Sequence, residues 1–221
     1  MNLGRNTFLF YGHEPEELVF VGYNTIWIRD MMFYMKDEPY KVTVVSPEEL
    51  YASDQSRWTN SMFANTVWRD FNQRKAISTF LKDNNLPKFS SVRPTAMTYD
   101  AVIEPGCAIS DYCLVGIGST LGEDSFMSPY AGIAHNAQVG KSVYIGGRAT
   151  FGGSVVTGDY CYFGMCSVVV DNVSVAGGSF IGASTTVSKT LVEPGLYYGP
   201  SARKLSSQTV FDEVSIDNPP Q

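Results

Sequence analysis

The chain of 221 residues lacks the features that mark membrane, exported or nucleic-acid-binding proteins. It has no apolar run long enough to span a bilayer and no basic and apolar leader, so we expect neither a membrane span nor export. Lysine and arginine number 16 against 22 acidic residues, and the net charge is −6. Because the cations do not cluster, we expect no nucleic-acid partner. The expected lack of export predicts a cytoplasmic location.

Histidine and cysteine are also scarce, and their scarcity bears on metal binding. The only histidines are His13 and His135, which excludes a solenoid zinc enzyme of the carbonic anhydrase kind, whose site uses three histidines. We predict no metal site. The four cysteines predict buried free thiols in a reducing compartment, not disulfides. They are Cys107, Cys113, Cys161 and Cys166.

What the sequence does contain is a six-residue repeat that runs from Ile103 to Val192 without an insertion. In each block the first residue is apolar except at Thr157, the second is mostly glycine or alanine, and the fifth is small or β-branched. Such a block supplies one short strand and one corner, and three blocks close a triangular coil. Fifteen blocks predict five coils of a parallel β-helix with the first residues inside. An antiparallel sandwich, the alternative, would not keep so strict a spacing.

The residues before the repeat alternate between strand and helix patterns. Strands are predicted at Glu17–Gly22, Lys41–Val45 and Phe63–Trp68, and helices at Thr25–Met35, from Ser46-Pro47-Glu48-Glu49, and at Asn72–Asn84. This order predicts a small parallel α/β domain that binds ligands at the carboxyl ends of its strands, notably the loop Gly22–Thr25. The segment Leu86–Thr95, with two prolines, predicts a hinge before the solenoid.

His135 falls at the third position of its block, a corner position that points outward. One role there is that of a general base, which is common for histidine near neutral pH. The other is an exposed or interface histidine with no chemical task. Position alone favours the second interpretation.

Most of the chain, from Glu17 to Leu205, resembles the sugar O/N-acyltransferases of the sialic-acid O-acetyltransferase type. That group includes bacterial nucleotide-sugar N-acetyltransferases. The stretches that carry the resemblance are Asp70–Arg74, Arg93–Ala96, Ile133–Gly140 and Tyr144–Gly153. The resemblance implies a Rossmann-like nucleotide-sugar-binding domain over residues 1–92 and a left-handed β-helix acyltransferase domain over 93–205. Residues 206–221 are expected to form a polar C-terminal tail. The resemblance also implies a homotrimer with acetyl-CoA between adjacent β-helices.

The same resemblance assigns roles to individual residues. His135 becomes the base, and Gly153, eighteen residues later and thus one coil along the same corner, becomes the donor of a backbone N–H to the oxyanion. The resemblance implies CoA contacts near Tyr144, Met165 and Ala183. The cations best placed in sequence for CoA phosphates are Lys189, Arg203 and Lys204, and solubility is the alternative role for these three.

The sequence departs from the pattern of that family at four places. Asn136 replaces an acidic residue after the histidine, so it can orient the ring by hydrogen bonding but adds no charge. Tyr144 stands where a second histidine is usual. The first loop reads Gly22-Tyr23-Asn24-Thr25 in place of a glycine-rich turn with histidine, and its residues are the candidate substrate contacts. Ser46-Pro47 stands where an acidic residue often ends the second strand.

Three classes of function follow. The first is an acetyl-CoA-dependent N-acetyltransferase acting on a nucleotide-linked amino sugar for bacterial surface glycan synthesis, with a sugar O-acetyltransferase as its close variant. The second is a catalytically inactive β-helix that binds a nucleotide or regulates a partner, which Asn136 and the altered first loop leave open. The third is a purely structural trimeric solenoid, which has no need of His135 and Gly153 on one corner.

Overall fold

The computed structural model describes residues 7–23, 28–29, 35, 38–68 and 70–199. Within these residues, an N-terminal region of strands and helices packs against a parallel β-solenoid. No helix in this part of the chain combines the length and the apolar character that a membrane crossing requires.

Among the described residues, the N-terminal region contains a three-stranded parallel sheet and the helices α1 and α2, and Ile28, Arg29 and Met35 are also helical. Its elements are β1 (Thr7–Phe10), β2 (Glu17–Val21), β3 (Lys41–Val45), α1 (Pro47–Ala52), a 3-10 helix (Gln55–Trp58), β4 (Ser61–Asn65) and α2 (Phe71–Asp83). The central strand β2 pairs in parallel with β3 and β4, and all of its residues are buried. A capping box between Ser46 and Glu49 begins α1, because each side chain accepts a hydrogen bond from the backbone N–H of the other residue.

Most of the predicted strands and helices of this region are confirmed, but a Rossmann-like domain is not evident, since the parallel sheet has three strands among the described residues. The strand at Lys41–Val45 and the helix start at Ser46 lie where the pattern places them, and α2 is displaced by one residue from its predicted bounds. Strand β4 begins before the predicted Phe63 and ends three residues before Trp68. The helix predicted over Thr25–Met35 lies mostly outside the described residues, among which Ile28 and Met35 are buried.

The solenoid is built from short strands that return at the same face every third strand. They are β5 (Phe89–Val92), β6 (Met97–Thr98), β7 (Val102–Ile103), β8 (Ala108–Ile109), β9 (Leu114–Val115), β10 (Thr120–Leu121), β11 (Phe126–Met127), β12 (Gly132–Ile133), β13 (Gln138–Val139), β14 (Tyr144–Ile145), β15 (Thr150–Phe151), β16 (Val156–Thr157), β17 (Tyr162–Phe163), β18 (Val168–Val169), β19 (Ser174–Val175), β20 (Phe180–Ile181), β21 (Thr186–Val187) and β22 (Leu196–Tyr197).

These strands form three parallel sheets. Face I holds β5, β8, β11, β14, β17, β20 and β22, face II holds β7, β10, β13, β16 and β19, and face III holds β6, β9, β12, β15, β18 and β21. Partners in neighbouring coils lie eighteen residues apart, as Tyr144 and Tyr162 do. The solenoid has about six turns and is consistent with the left-handed β-helix that the resemblance implies.

The core confirms the six-residue frame, since all fifteen first-position residues are buried. The one polar member, Thr157, uses its hydroxyl to accept the N–H of Gly140 at 3.1 Å. Glycine at the second position is explained by close approach of neighbouring coils, because a Cβ on Gly116 would lie 2.7 Å from the carbonyl carbon of Ala134. The left-handed backbone falls elsewhere, at corner residues such as Asn136, whose φ is 58°.

The solenoid begins earlier than the repeat predicts, and this corrects the predicted hinge. Strand β5 lies inside Leu86–Thr95, pairs with β8 in face I, and also pairs antiparallel with β1. Phe89 is fully buried. A segment that is hydrogen-bonded on both edges is a structural strand of the first coil, so the prediction of a hinge there is wrong.

Side chains from the N-terminal region close over face I. The ring of Trp68 stacks on Phe126 of β11 with centroids 4.4 Å apart, and the guanidinium of Arg74 lies 5.1 Å from the Trp68 centroid. Arg74 also donates from Nη1 to the carbonyl oxygen of Ser142 at 3.4 Å. Burial lowers the pKa of Arg74 to about 10, which leaves it charged at neutral pH. This contact fixes α2 against the middle coils.

Candidate active site

His135 lies on the corner that joins face III to face II, between β12 and β13. We call it the His135 corner; its successive coils present Ile117, His135, Gly153 and Asp171. Backbone hydrogen bonds fix its shape, since Asn136 N donates to Ile117 O and Ser154 N donates to His135 O, each at 2.9 Å. His135 and Asn136 are exposed. The corner therefore presents an imidazole from a rigid backbone.

The imidazole of His135 packs over Gly153, one coil along. A Cβ on Gly153 would lie 2.6 Å from His135 Cε1 and 2.7 Å from Nε2, which is too close for any side chain to share the space with the ring. The structure thus brings together His135 and Gly153, which the eighteen-residue spacing places on one corner. Gly153 is buried, and its lack of a side chain is what allows the ring to lie there.

The third member of the predicted catalytic set, Asn136, contacts the ring. Its Nδ2 lies 3.2 Å from His135 Nδ1. In that orientation the amide donates to Nδ1, and the proton of the neutral ring is on Nε2. If the amide turns so that Oδ1 accepts from Nδ1–H, Nε2 is free to accept a proton. A base role for Nε2 requires the second orientation.

The N–H of Gly153 is not free in this structure. It donates to Asp171 Oδ1 at 2.5 Å, from one coil further along the same corner. The prediction of an accessible amide at Gly153 is therefore wrong for this state of the molecule, because the charged oxygen of Asp171 occupies the donor that an oxyanion would need. Sequence analysis missed this contact, although the spacing of 36 residues from His135 to Asp171 places both on one corner.

The residues predicted to contact CoA lie on other parts of the solenoid. Tyr144 lies on face I, opposite the His135 corner, where it is buried with Trp68 and Phe126. Its ring stacks with Tyr162 at a centroid distance of 4.7 Å, and its hydroxyl accepts from Ser128 Oγ at 3.2 Å. Met165 and Ala183 are exposed on the corner from face I to face III. Within one chain, none of the three approaches His135.

Lys189, in contrast, lies on the last turn of the His135 corner. It is exposed and borders a cavity of about 250 Å³ near the end of the solenoid, which Thr185, Tyr197 and Tyr198 also line. Three coil spacings separate it from His135, on the order of 14 Å. The other two predicted phosphate contacts, Arg203 and Lys204, lie outside the described residues.

The first loop of the N-terminal region lies at the carboxyl edge of the three-stranded sheet, as predicted. Gly22 follows β2, and a Cβ there would collide with Thr66 Oγ1. The hydroxyl of Tyr23 donates to Glu48 Oε1 at 3.1 Å and accepts from Gln73 Nε2 at 2.7 Å, which joins the starts of α1 and α2. The other two candidates, Asn24 and Thr25, lie outside the described residues.

Metal and thiol chemistry have little support in the described part of the chain. It contains no group of three or more His, Cys, Asp or Glu side chains that could hold a metal. All four cysteines are free, and three of them are buried as predicted. The fourth, Cys166, is exposed on a corner with φ 58°, so the prediction that all four are buried is wrong there.

Comparison with known proteins confirms the resemblance to hexapeptide-repeat acyltransferases. No family model matches the chain. It is 37% identical to the UDP-3-O-acylglucosamine N-acyltransferase of Albidiferax ferrireducens over 67 residues, which are 30% of this chain and 20% of that enzyme. It is 29% identical to the 2,3,4,5-tetrahydropyridine-2,6-dicarboxylate N-succinyltransferase of a Methylobacterium strain over 113 residues, 45% of this chain and 40% of that enzyme. The match spans only about a fifth of the first of these relatives.

Solved structures share the fold over most of the chain. PerB from Caulobacter crescentus, crystallised with CoA and GDP-perosamine, superposes with a TM-score of 0.72 at 16% identity, covering 83% of this chain and 94% of PerB. The acetyltransferase domain of PglB from Neisseria gonorrhoeae superposes with a TM-score of 0.70 at 14% identity, covering 83% and 97%. That domain has also been crystallised with acetyl coenzyme A.

Proposed function

We propose that the protein is an acetyl-CoA-dependent N-acetyltransferase whose acceptor is a nucleotide-linked amino sugar, in bacterial surface glycan synthesis. The observation that carries the proposal is the imidazole of His135 seated over Gly153 at an exposed corner of the solenoid. A structural solenoid does not require that pair. Similar structures hold CoA together with GDP-perosamine or acetyl coenzyme A alone, which supports the same donor and acceptor classes for this chain.

In the proposed reaction, the acceptor nitrogen attacks the thioester carbonyl carbon of acetyl-CoA while His135 Nε2 takes its proton. The tetrahedral oxyanion is stabilised by the backbone N–H of Gly153 once Asp171 has released it. The carbon–sulfur bond then breaks with its electron pair on sulfur, and the imidazolium returns the proton to the CoA thiolate. Once its amide has turned so that Oδ1 accepts from Nδ1–H, Asn136 holds the ring in the tautomer that leaves Nε2 unprotonated before attack.

Binding of the two substrates uses separate parts of the chain in this proposal. Residues 1–88 act as a Rossmann-like nucleotide-binding domain with the loop Gly22–Thr25 at its ligand edge, and residues 89–205, which begin with β5, act as the acyltransferase domain. The proposed trimer brings Met165 and Ala183 of one subunit toward the His135 corner of another. Lys189 lies along that corner at a distance suited to a CoA phosphate.

Tyr144, Arg203 and Lys204 stay proposed CoA contacts, and the cytoplasmic location stays a prediction. A sugar O-acetyltransferase is the close variant of the proposal, because the same base serves a hydroxyl group. An inactive β-helix is the second candidate function. The closed amide of Gly153 favours it, since a solenoid without catalysis has no need to expose that donor.

Thermal unfolding with ligands tests the proposal. A ligand that binds only the folded protein raises its unfolding temperature by mass action. We expect stabilisation by acetyl-CoA, and additional stabilisation by one class of nucleotide sugar in a panel of UDP-, dTDP- and GDP-linked sugars. If acetyl-CoA and CoA both leave the transition unchanged at millimolar concentration, the enzyme proposal fails.

A further inference from the structure

Asp171 holds the one backbone donor that the proposed reaction needs. Its Oδ1 accepts the N–H of Gly153 at 2.5 Å, a short bond that the negative charge of the carboxylate strengthens. The same oxygen lies against the backbone of Gly152, where a Cβ would collide with it. Gly152 therefore makes room for this carboxylate, and Gly153 makes room for the imidazole of His135.

An Asp side chain caps a backbone amide in the same way at a second corner. Because that corner does not carry His135, it shows the structural role of the contact alone. On the corner from face II to face I, Asp159 Oδ1 accepts the N–H of Lys141 at 2.8 Å, again from one coil further along. There the contact caps the turn, as an Asp side chain does in many corners. At Gly153, however, the capped amide belongs to the residue over which the ring of His135 packs.

From this difference we infer that Asp171 is a positioning residue that competes with the acyl donor for the Gly153 amide, so that an acyl thioester binds only by displacing the carboxylate. The inference rests on the proposed function. One N–H cannot serve both a carboxylate and a thioester oxygen at full strength, and a carboxylate beside a developing oxyanion is repulsive. Asp171 is exposed, so its carboxylate is hydrated when it leaves.

Asp171 competes with the thioester carbonyl oxygen of the acyl donor for the Gly153 amide. The competition should therefore affect only ligands that carry this oxygen. Acetyl-CoA carries that oxygen, whereas free CoA does not. Removing the competitor therefore strengthens binding of acetyl-CoA and leaves binding of CoA unchanged. Loss of a turn cap through Asp171→Ala, taken alone, weakens both ligands or neither.

The test is to measure dissociation constants of acetyl-CoA and CoA by calorimetry for wild type, Asp171→Ala and the matched control Asp159→Ala. We expect Asp171→Ala to bind acetyl-CoA about 3- to 10-fold more tightly relative to CoA, the range of one net hydrogen bond. Asp159→Ala should keep the wild-type ratio. An Asp171→Ala ratio equal to that of Asp159→Ala, or shifted toward CoA, overturns the inference.

A second variant guards against loss of the folded corner. Asp171→Asn keeps an oxygen acceptor for the Gly153 amide but removes the charge, so we expect its ratio to lie between those of wild type and Asp171→Ala. An Asp171→Asn ratio equal to that of wild type counts against competition by charge. If wild type binds neither acetyl-CoA nor CoA, the proposed function fails and the inference with it; if wild type binds acetyl-CoA and no variant changes the ratio, only the inference fails.

Discussion

Two corners of the solenoid share the same backbone shape but carry very different side chains. The His135 corner and the Lys141 corner, which presents Glu123, Lys141 and Asp159 in successive coils, both carry an Asp that caps the amide of the preceding coil. At the Lys141 corner the remaining groups form ion pairs, and Lys88 from the N-terminal region joins them. At the His135 corner, among the described residues, no ion pair forms and a histidine lies over a glycine.

This difference shows that corners of the same fold can have different roles. The repeat makes every corner equivalent in shape, so function depends on which side chains are placed there and on what covers them. One corner is used to attach the N-terminal region through charge, and the other is left exposed with a titratable ring. The predictions below alter one corner and use the other, or an equivalent position, as the control.

The largest effect should come from His135→Ala. Removal of the base should lower acetyl transfer about 10²- to 10⁴-fold. Because His135 is exposed, the unfolding temperature should stay close to that of wild type. Turnover and thermal unfolding measured side by side check this. His13→Ala, which removes the other histidine, is the control and should retain full activity; equal loss in both variants would contradict the assignment of His135.

Lys88→Met should produce the largest loss of stability. Lys88 is 9% exposed and pairs with Asp124 at 2.8 Å, and Asp124 is 2% exposed, so the substitution leaves a buried carboxylate without its cation. We expect the free energy of unfolding to fall by about 3–5 kcal/mol. Lys141→Met is the control at the same corner, since its side chain is 57% exposed, and it should cost at most about 1 kcal/mol. Denaturant unfolding measures the loss of stability in each variant. Equal losses in the two variants would contradict this account.

The stability supplied by this corner should also depend on pH. Burial works to raise the pKa of Glu123, but hydrogen bonds and charge from Lys88 and Lys141 outweigh it and hold that pKa below its ordinary value. A lowered pKa gives stability that is present above the ordinary pKa and lost as pH falls through the folded value. The advantage of wild type over Lys88→Met should therefore shrink on acidification.

Gly153→Ala should disturb the site without unfolding the solenoid. The new methyl group would lie 2.6 Å from His135 Cε1, so the ring must turn away, and transfer should fall about 10- to 100-fold. Gly177→Ala is the control on the Lys141 corner, where the added Cβ would be crowded by the backbone, at 3.0 Å from the carbonyl oxygen of Asp159, but lies on a different corner from His135. Steady-state rates of the two variants test this prediction. A wild-type rate for Gly153→Ala would show that the position of the His135 ring does not affect acetyl transfer.

Asn136→Asp should have the smallest effect, a shift in pH dependence. A carboxylate beside His135 Nδ1 stabilises the imidazolium, so the acidic limb of the pH–rate profile should move upward by about one unit. Asn172→Asp adds the same charge two coils away on the same corner and should move the limb much less. A pH–rate profile of Asn136→Asp that matches wild type would mean that Asn136 does not orient the base.

Much of the fold follows from the sequence because the repeat is local. A strand and a corner are complete within six residues, so the inward positions and the pairing of His135 with Gly153 come directly from counting. The same counting, taken in units of eighteen, places Tyr144 half a coil away from His135 on the opposite face. That placement follows from the sequence alone.

What the sequence does not reveal depends on contacts between distant segments and on side-chain rotation. The pairing of β1 with β5 joins residues about eighty positions apart, as Phe10 with Phe89, and no local pattern encodes it. The hydrogen bond from Gly153 to Asp171 depends on the direction in which one Asp side chain turns. Counting places Asp171 on the same corner as His135, but it does not show that the Asp171 side chain closes the candidate oxyanion donor.

The central claim is that acetyl groups pass from CoA to an amine on a nucleotide-linked sugar, and release of the CoA thiol tests it most directly. Wild-type protein would be incubated with acetyl-CoA and each amino sugar nucleotide, beside the matching nucleotide sugar that has a hydroxyl in place of the amine. The account predicts thiol release that requires one class of amine acceptor. Thiol release that is equal with and without the amine, or absent with every acceptor, would contradict it.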